Sequence, residues 1–138
     1  MEQIPNCFYR VSAKALVLDE TRTKFLLLRE ASNVRDFPGG WLDFWEDPRE
    51  GMPREISEEM WLEVAWIDTK IAYFITAYRP NKKFWIANIM YEVTLKNLDF
   101  TPSEECQELR FFSKEEAETL DLQPNVKEFL KQFNPSNH

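Results

Sequence analysis

The sequence is short of the residues on which several common kinds of functional site depend. It contains one histidine, His138 at its end, two cysteines, Cys7 and Cys106, and only three glycines in 138 residues. A single terminal histidine argues against a histidine-based triad, a histidine-ligated metal and histidine acid–base catalysis. The two cysteines fit neither a disulfide framework nor a zinc motif, so we expect two reduced thiols. Catalytic chemistry in this chain would therefore depend on carboxylates.

Long apolar runs and basic runs are also missing. No apolar stretch approaches the roughly 20 residues that span a bilayer, and Met1–Cys7 lacks the features of a signal peptide. With the reduced thiols, this predicts a cytoplasmic protein without a membrane partner. The net charge is −7, whereas proteins that bind long nucleic acids normally carry a basic face. We therefore expect no long nucleic-acid partner, although a small phosphorylated ligand remains compatible if a metal ion screens the charge.

The apolar content is sufficient for one hydrophobic core. Hydrophobic residues make up 43% of the chain and aromatic residues 14%, which suits a single domain over residues 1–138. The order of strands, a helix, strands and two short helices predicts an α/β fold with a mixed sheet. The predicted strands are 8–18, 24–29, 64–78, 84–93 and 108–112, and the first two are expected to form a hairpin. Helices are predicted over 47–60, 114–120 and 125–133, a loop over 31–36 and a tail over 134–138.

An acidic cluster on the first helix is the main candidate site. Glu55, Glu58 and Glu59 are spaced as i, i+3 and i+4, so they share one helix face. The Gly39–Gly40 turn lets the backbone approach a ligand closely, and carboxylate oxygens are the ligands that Mg²⁺ or Mn²⁺ prefers. The alternative is an exposed acidic face without function, because like charges at this spacing cost only about 0.2–0.5 kcal/mol.

Residues 40–62 resemble the Nudix box, G-x5-E-x7-R-E-U-x-E-E-x-G-U, in which U is a bulky aliphatic residue. One position departs from the motif, since Trp61 stands where the family has its last glycine. The order of the flanking strands also resembles the Nudix α/β/α sandwich, so the resemblance extends over most of the chain. The matching positions are Gly40, Glu46, Arg54, Glu55, Ile56, Glu58, Glu59 and Leu62.

The resemblance implies an activity and a metal. Nudix enzymes hydrolyse the pyrophosphate bond of a nucleoside diphosphate derivative or a nucleoside triphosphate, and they use Mg²⁺ or Mn²⁺. By this resemblance, Glu55 and Glu59 are the principal metal ligands, and Glu58 is a third ligand or orients the base. The carbonyl of Gly39 often joins the metal shell in this family.

Further residues have roles implied by the resemblance. Glu46 and Arg54 form a structural ion pair that braces the loop against the helix, and Arg54 also counts among the catalytic candidates. An additional acid often comes from a loop beyond the sheet. Glu105 is the candidate, with Glu104 and Glu108 as alternatives, and all three could equally be solvated loop charges.

The expected partner is a small nucleotide, and a homodimer is left open because many similar enzymes are dimers. Two other interpretations remain. One is a Nudix-fold nucleotide-binding or regulatory module with weak or no turnover. The other is a carboxylate-rich metal-binding protein without a nucleotide substrate. Substrate identity cannot be inferred from the sequence, because it depends on loops and pocket shape.

Tryptophan occupies three positions at which similar sequences carry glycine: Trp41, Trp45 and Trp61. At the last, a helix C-terminus favours glycine in the left-handed conformation, and a bulky residue costs about 1 kcal/mol. One explanation is divergence, with the rings packing or stacking on a base. The other is that the source organism reads UGA as glycine and the gene was translated with UGA as tryptophan. Trp66 and Trp85, in predicted strands, are expected to pack in the core, with stacking on a base as the alternative.

Overall fold

Two β-sheets form the scaffold in this computed structural model, which describes residues 8–138. The predictions for Met1–Cys7 lie outside this range. The strands are β1 (Tyr9–Leu16), β2 (Phe25–Arg29), β3 (Arg35–Asp36), β4 (Gly39–Trp41), β5 (Val64–Arg79), β6 (Phe84–Leu95) and β7 (Glu108–Phe112). One sheet has the order β4-β1-β6-β5 and is mixed, because β1 runs parallel to β6 and the other pairs are antiparallel. The second sheet, β3-β2-β7, is antiparallel. The predicted α/β fold with a mixed sheet is thus confirmed.

The first helix begins and ends as its sequence predicts. Helix α1 (Pro48–Met60) follows Asp47, whose side chain accepts a hydrogen bond from the Arg49 amide at 2.8 Å. Such an N-cap satisfies one of the free amides of the first turn. Pro53 lies inside the helix without ending it. The other helices are α2 (Lys114–Ala117), α3 (Pro124–Gln132) and a 3₁₀ turn (Pro135–Asn137). Within residues 8–138, no helix is long and apolar enough to cross a membrane.

The hydrophobic core has two parts because the strands of the scaffold alternate between two buried faces. On β1, Leu16 belongs to one part while Ala13 and Ala15 belong to the other, as expected for a strand whose side chains alternate. The α1 residues Met52, Ile56 and Met60 pack into the second part. The α3 residues Val126, Phe129 and Leu130 pack into the first. Helix α1 is therefore fixed against β1 and β4, with its acidic face left at the edge of this packing.

The predicted hairpin of the first two strands is wrong. Strand β1 pairs with β4 and β6, while β2 pairs with β3 and β7 in the other sheet. The two segments pair only beside their turn, through the bridge between Leu18 and Phe25 and the two backbone hydrogen bonds around it. The register of β1 with β6 extends over eight residue pairs, more than the five residues of β2 could offer. With β4 on its other edge, β1 has both edges occupied, so β2 pairs in the second sheet.

Three further predictions need correction. The segment expected as a loop contains β3, and the glycine turn contains β4, because strands of two or three residues carry no periodic pattern of their own. Trp66 and Trp85 do not pack in the core, since they are 49% and 48% exposed. Trp85 projects from the face of β6 opposite the buried Ile86, and its ring contacts those of Tyr9 and Tyr78.

Candidate functional site

A cleft of about 460 Å³ lies where β1, β4, β6 and α1 meet the loops after β2 and before β7. Its walls carry many more acids than bases. The acidic residues that line it are Glu30, Asp36, Glu55, Glu59, Glu104 and Glu105, and the basic residues are Lys14 and Arg79. A cleft with this charge is suited to hold cations, and through them the phosphates of a nucleotide.

The Glu55 carboxylate occupies space that Gly40 leaves free. A Cβ on Gly40 would lie 2.6 Å from Glu55 Oε2, closer than any unstrained contact. A second glycine plays the same part for the loop acid, because a Cβ on Gly51 would lie 2.6 Å from Glu46 Oε1. Burial raises the pKa of Glu55, Arg54 opposes this, and the charges of Glu58 and Glu105 add to the rise.

Glu59 is the most deeply placed acid of the helix. Its Oε1 is buried and has no hydrogen-bond partner. Burial raises the pKa of Glu59 to about 8, the charges of Glu105, Asp36 and Glu55 add to the rise, and the charge of Lys14 opposes it. A carboxylate held in this way is unfavourable unless a cation joins it.

Arg54 connects the acids that lie behind the cleft. Its guanidinium makes two hydrogen bonds with Glu46, from Nε to Oε2 at 2.7 Å and from Nη2 to Oε1 at 2.9 Å. Its Nη1 lies 3.1 Å from Glu58 Oε2 and 3.2 Å from Glu55 Oε1. Because Arg54 donates both bonds, and the Asp43 amide a third, the pKa of Glu46 is lowered to about 2. The guanidinium thus holds the loop before α1 against the helix.

Glu58 faces away from the cleft. Its side chain is 60% exposed and accepts a hydrogen bond from Arg54, and it is not among the cleft-lining residues. In this conformation Glu55 and Glu59 lie at the cleft, whereas Glu58 belongs to the network around Arg54. The three glutamates do share one face of α1, but the cleft lies along only part of that face.

A lysine that the sequence analysis did not identify holds the glycine turn. The buried Lys14 Nζ donates to Asp36 Oδ2 at 3.2 Å, to the Phe37 carbonyl at 3.3 Å and to the Gly39 carbonyl at 3.2 Å. Burial by itself would lower the pKa of Lys14, but the charges of Asp36 and Glu59 outweigh it and raise the pKa. The signal was present, because Lys14 interrupts an apolar strand between Ala13 and Ala15. Gly39 itself has φ +121°, which favours glycine.

Of the three candidate acids that follow β6, two line the cleft and one does not. Glu104 and Glu105 line the cleft. Glu108 does not, since its side chain accepts a hydrogen bond from Arg35, which lowers its pKa. The loop before β7 therefore brings Glu104 and Glu105, but not Glu108, to the acids of α1.

Several uncharged or basic residues of the cleft were also missed. Asn88 lines the cleft from β6, and its Nδ2 donates to Ser12 Oγ on β1. Asn125, at the start of α3, donates to Asp36 Oδ1 at 2.9 Å. Arg79 ends β5 and also lines the cleft. The signal for Asn88 was a polar residue between Ala87 and Ile89 in an apolar strand, whereas Arg79 and Asn125 had no local signal.

The residues of the cleft fit a hard divalent cation. In the part of the chain that the structure describes, no three His, Cys, Asp or Glu side chains converge as a complete metal cage. Glu59, whose buried Oε1 has no partner, nevertheless lines the cleft together with Glu55, next to a glycine without a side chain. Mg²⁺ suits such a site, because it binds through one or two carboxylates, waters and substrate phosphates rather than a protein cage.

Comparison with known proteins identifies the family and the fold. The family model described as the NUDIX domain matches residues 8–133. A MutT protein from Methanosarcina mazei Go1 is 25% identical, with a TM-score of 0.77 over 96% of this chain and 97% of that one. The E. coli ORF135 protein is 20% identical, with a TM-score of 0.69 over 94% and 91% of the two chains. A MutT NUDIX hydrolase from Burkholderia pseudomallei is 16% identical, with a TM-score of 0.75 over 92% and 99%. No curated protein sequence matches.

Proposed function

The chain belongs to the Nudix hydrolase family, and from this premise we propose that it hydrolyses the pyrophosphate bond of a small nucleotide with the help of Mg²⁺ or Mn²⁺. The substrate is a nucleoside diphosphate derivative or a nucleoside triphosphate. One observation carries the proposal: Glu55 and Glu59 line the same cleft, and a buried oxygen of Glu59 lacks a partner. A cation at these carboxylates supplies that partner.

Each acid has a proposed part in the reaction. Glu55, Glu59 and the carbonyl of Gly39 would hold the cation, which when bound neutralises phosphate charge and lowers the pKa of a coordinated water. Glu105 lines the same cleft, and its charge raises the pKa of both Glu55 and Glu59. We propose Glu105 as the additional acid of the site and as the candidate proton acceptor. Glu58 faces away from the cleft in this conformation, and we propose it as a third ligand or as a group that orients the general base once its side chain leaves Arg54.

The ion pair between Glu46 and Arg54 supports the same function by holding the elements that carry the site. The two hydrogen bonds between Arg54 and Glu46 hold the loop before α1, and the contact of Arg54 with Glu55 restrains a proposed metal ligand. We therefore propose Arg54 as a positioning residue. Positioning supplies much of the rate in phosphoryl chemistry, since the protein performs little covalent work of its own.

A hydrolysis assay tests the proposal. Purified protein is incubated with a panel of nucleoside triphosphates and nucleoside diphosphate derivatives, with and without Mg²⁺. We expect metal-dependent release of phosphate-bearing products, and a loss of at least about tenfold in Glu59→Gln. The variants Glu105→Gln and Glu58→Gln measure how much the two remaining acids contribute to turnover. Equal turnover in Glu59→Gln and the unaltered protein would refute the assignment of Glu59.

A second candidate is a Nudix-fold nucleotide-binding module with weak or no turnover. It is favoured by Trp45 and Trp61, which adopt φ +67° and +59° in the motif that carries the acids. Backbone strain of this kind can shift the loop and the end of α1 relative to the cleft. Nucleotide binding without product release in the assay above would identify this module. Binding of Mg²⁺ without any nucleotide would instead indicate a simple metal-binding protein.

A further inference from the structure

Buried polar atoms without a hydrogen-bond partner concentrate at the cleft. Within residues 8–138 these atoms are Glu59 Oε1, Asn88 Oδ1, Arg79 Nε and Arg35 Nη1. The first three belong to residues that line the cleft, whereas Arg35 does not line it. Buried polar groups are normally hydrogen-bonded, so a ligand is expected to supply the missing partners. The proposed metal accounts for Glu59 but not for Asn88 or Arg79.

Asn88 presents a hydrogen-bond acceptor on the sheet side of the cleft. It is only 1% exposed, and its Nδ2 donates to Ser12 Oγ on the neighbouring strand. With Nδ2 toward Ser12, Oδ1 is the amide atom that has no hydrogen-bond partner. A free acceptor disfavours an anion and favours a group with an N–H, so the phosphates are not its partner.

Arg79 presents a donor to the same cleft. Its guanidinium lies over the ring of Trp41, 5.8 Å from the ring centroid. Trp41 stands opposite Ser12 in the β4–β1 register, and Ser12 stands opposite Asn88 in the β1–β6 register. Arg79 itself stands opposite Phe84, four residues before Asn88 on β6, and its guanidinium reaches this row through the ring of Trp41. This row is separate from α1, which carries Glu55 and Glu59.

We propose that Asn88 and Arg79 form a subsite that recognises the base of the nucleotide. Asn88 Oδ1 accepts from an N–H of the base, and Arg79 Nε donates to an acceptor atom beside it. Nucleobase edges offer such neighbouring donors and acceptors, and phosphates offer no donor. This inference rests on the proposed function, because it divides the cleft into a phosphate end at α1 and a base end on the sheet. Asn88 then determines specificity, because it detects a donor on the base.

Nucleosides without phosphate test the subsite independently of hydrolysis. Two matched pairs are titrated into ¹⁵N-labelled protein without metal: adenosine with purine riboside, and uridine with N3-methyluridine. The second member of each pair lacks the N–H donor. We expect the donor-bearing nucleoside of at least one pair to bind about tenfold more tightly, the effect of one good hydrogen bond. Asn88→Leu should abolish this difference, and Arg79→Met should weaken the binding of both members.

Controls keep the result interpretable. Asn81→Leu makes the same substitution at an exposed turn position and should leave both affinities unchanged. If Asn88→Leu does not fold, as judged by circular dichroism, Asn88→Ala replaces it. Three results would overturn the proposal. The first is that neither pair binds with a dissociation constant below about 10 mM. The others are equal binding within both pairs, or a difference that survives in the Asn88 variant. Hydrolysis is assayed on the same preparations. Selectivity without hydrolysis refutes only the proposed enzyme, and hydrolysis without selectivity refutes only the subsite.

Discussion

The Glu55 carboxylate fills the space that the missing side chain of Gly40 leaves. A Cβ at Gly40 would lie 2.6 Å from Glu55 Oε2 and 2.7 Å from Cδ. The substitution Gly40→Ala should therefore push the carboxylate out of the cleft, toward Arg54, which already lies 3.2 Å from it. We expect the affinity for Mg²⁺ to fall about tenfold or more, as for other residues that orient metal ligands. Calorimetric titration of Mg²⁺ measures this directly.

A matched substitution separates the effect at Gly40 from general damage to α1. Ser57→Ala changes an exposed position of the same helix and should leave Mg²⁺ affinity unaltered. If Gly40→Ala binds Mg²⁺ as tightly as the unaltered protein, Glu55 does not need its present position, and its role as a ligand is wrong.

Metal binding should stabilise the folded protein through Glu59. A ligand at 100 times its dissociation constant adds about 2.7 kcal/mol to the free energy of unfolding, so Mg²⁺ should raise the melting temperature. Glu59→Gln should lose most of this increase. Without metal, the same variant should be more stable than the unaltered protein, because it replaces a buried, unpartnered carboxylate with a neutral amide.

The control for this experiment is Glu50→Gln, an exposed acid in the first turn of the same helix. It should keep the full increase with Mg²⁺. Thermal unfolding with Mg²⁺ and with a chelator is the measurement. An increase of equal size in Glu59→Gln would mean that the cation binds elsewhere.

The features that could be predicted from sequence were those with local patterns. The spacing of Glu55 and Glu59, the Asp47 cap and the longer strands all follow from short-range periodicity and capping chemistry. The pairing of β1 with β6 could not be predicted in this way, because its partners are far apart in the chain. For the same reason the hydrogen bonds of Lys14 and the exposure of Glu58 were missed. They depend on which segments meet at the cleft.

The Glu46–Arg54 ion pair should make stability depend on pH in the acid range. Hydrogen bonds from Arg54 lower the folded pKa of Glu46 to about 2, from an ordinary value of 4.5. The ionised form therefore stabilises the fold at pH values above the ordinary pKa, and this stabilisation is lost as the pH falls from about 4.5 toward 2. Glu46→Gln should melt at a lower temperature than the unaltered protein at pH 7, and the difference should disappear near pH 2. A difference of constant size across this range would show that the charge of Glu46 is not the source. Glu50→Gln serves again as the exposed control.

Two of the three tryptophans at motif glycine positions occupy backbone conformations that favour glycine. Trp45 has φ +67°, and Trp61, the C-cap of α1, has φ +59° with 75% of its side chain exposed. A left-handed conformation costs a residue with a Cβ about 1–2 kcal/mol, and little packing offsets this at an exposed site. Trp61→Gly and Trp45→Gly should each raise the free energy of unfolding by about 1 kcal/mol. Chemical denaturation measures the change.

The tryptophans in the strands show whether the gain expected at 45 and 61 comes from the backbone conformation. Trp66 and Trp85 are about half exposed and lie in strands without positive φ. Trp85→Gly should therefore lower stability by about 0.5–1 kcal/mol through the backbone, and further through the lost ring contacts with Tyr9 and Tyr78. If Trp61→Gly is as destabilising as Trp85→Gly, the backbone does not favour glycine there. Trp41 also lacks a positive φ, so the backbone favours glycine at only two of the three positions. Reading the codons at 41, 45 and 61 tests the translation hypothesis separately: UGA would mean that the natural protein carries glycine there, and UGG would mean that the tryptophans are native.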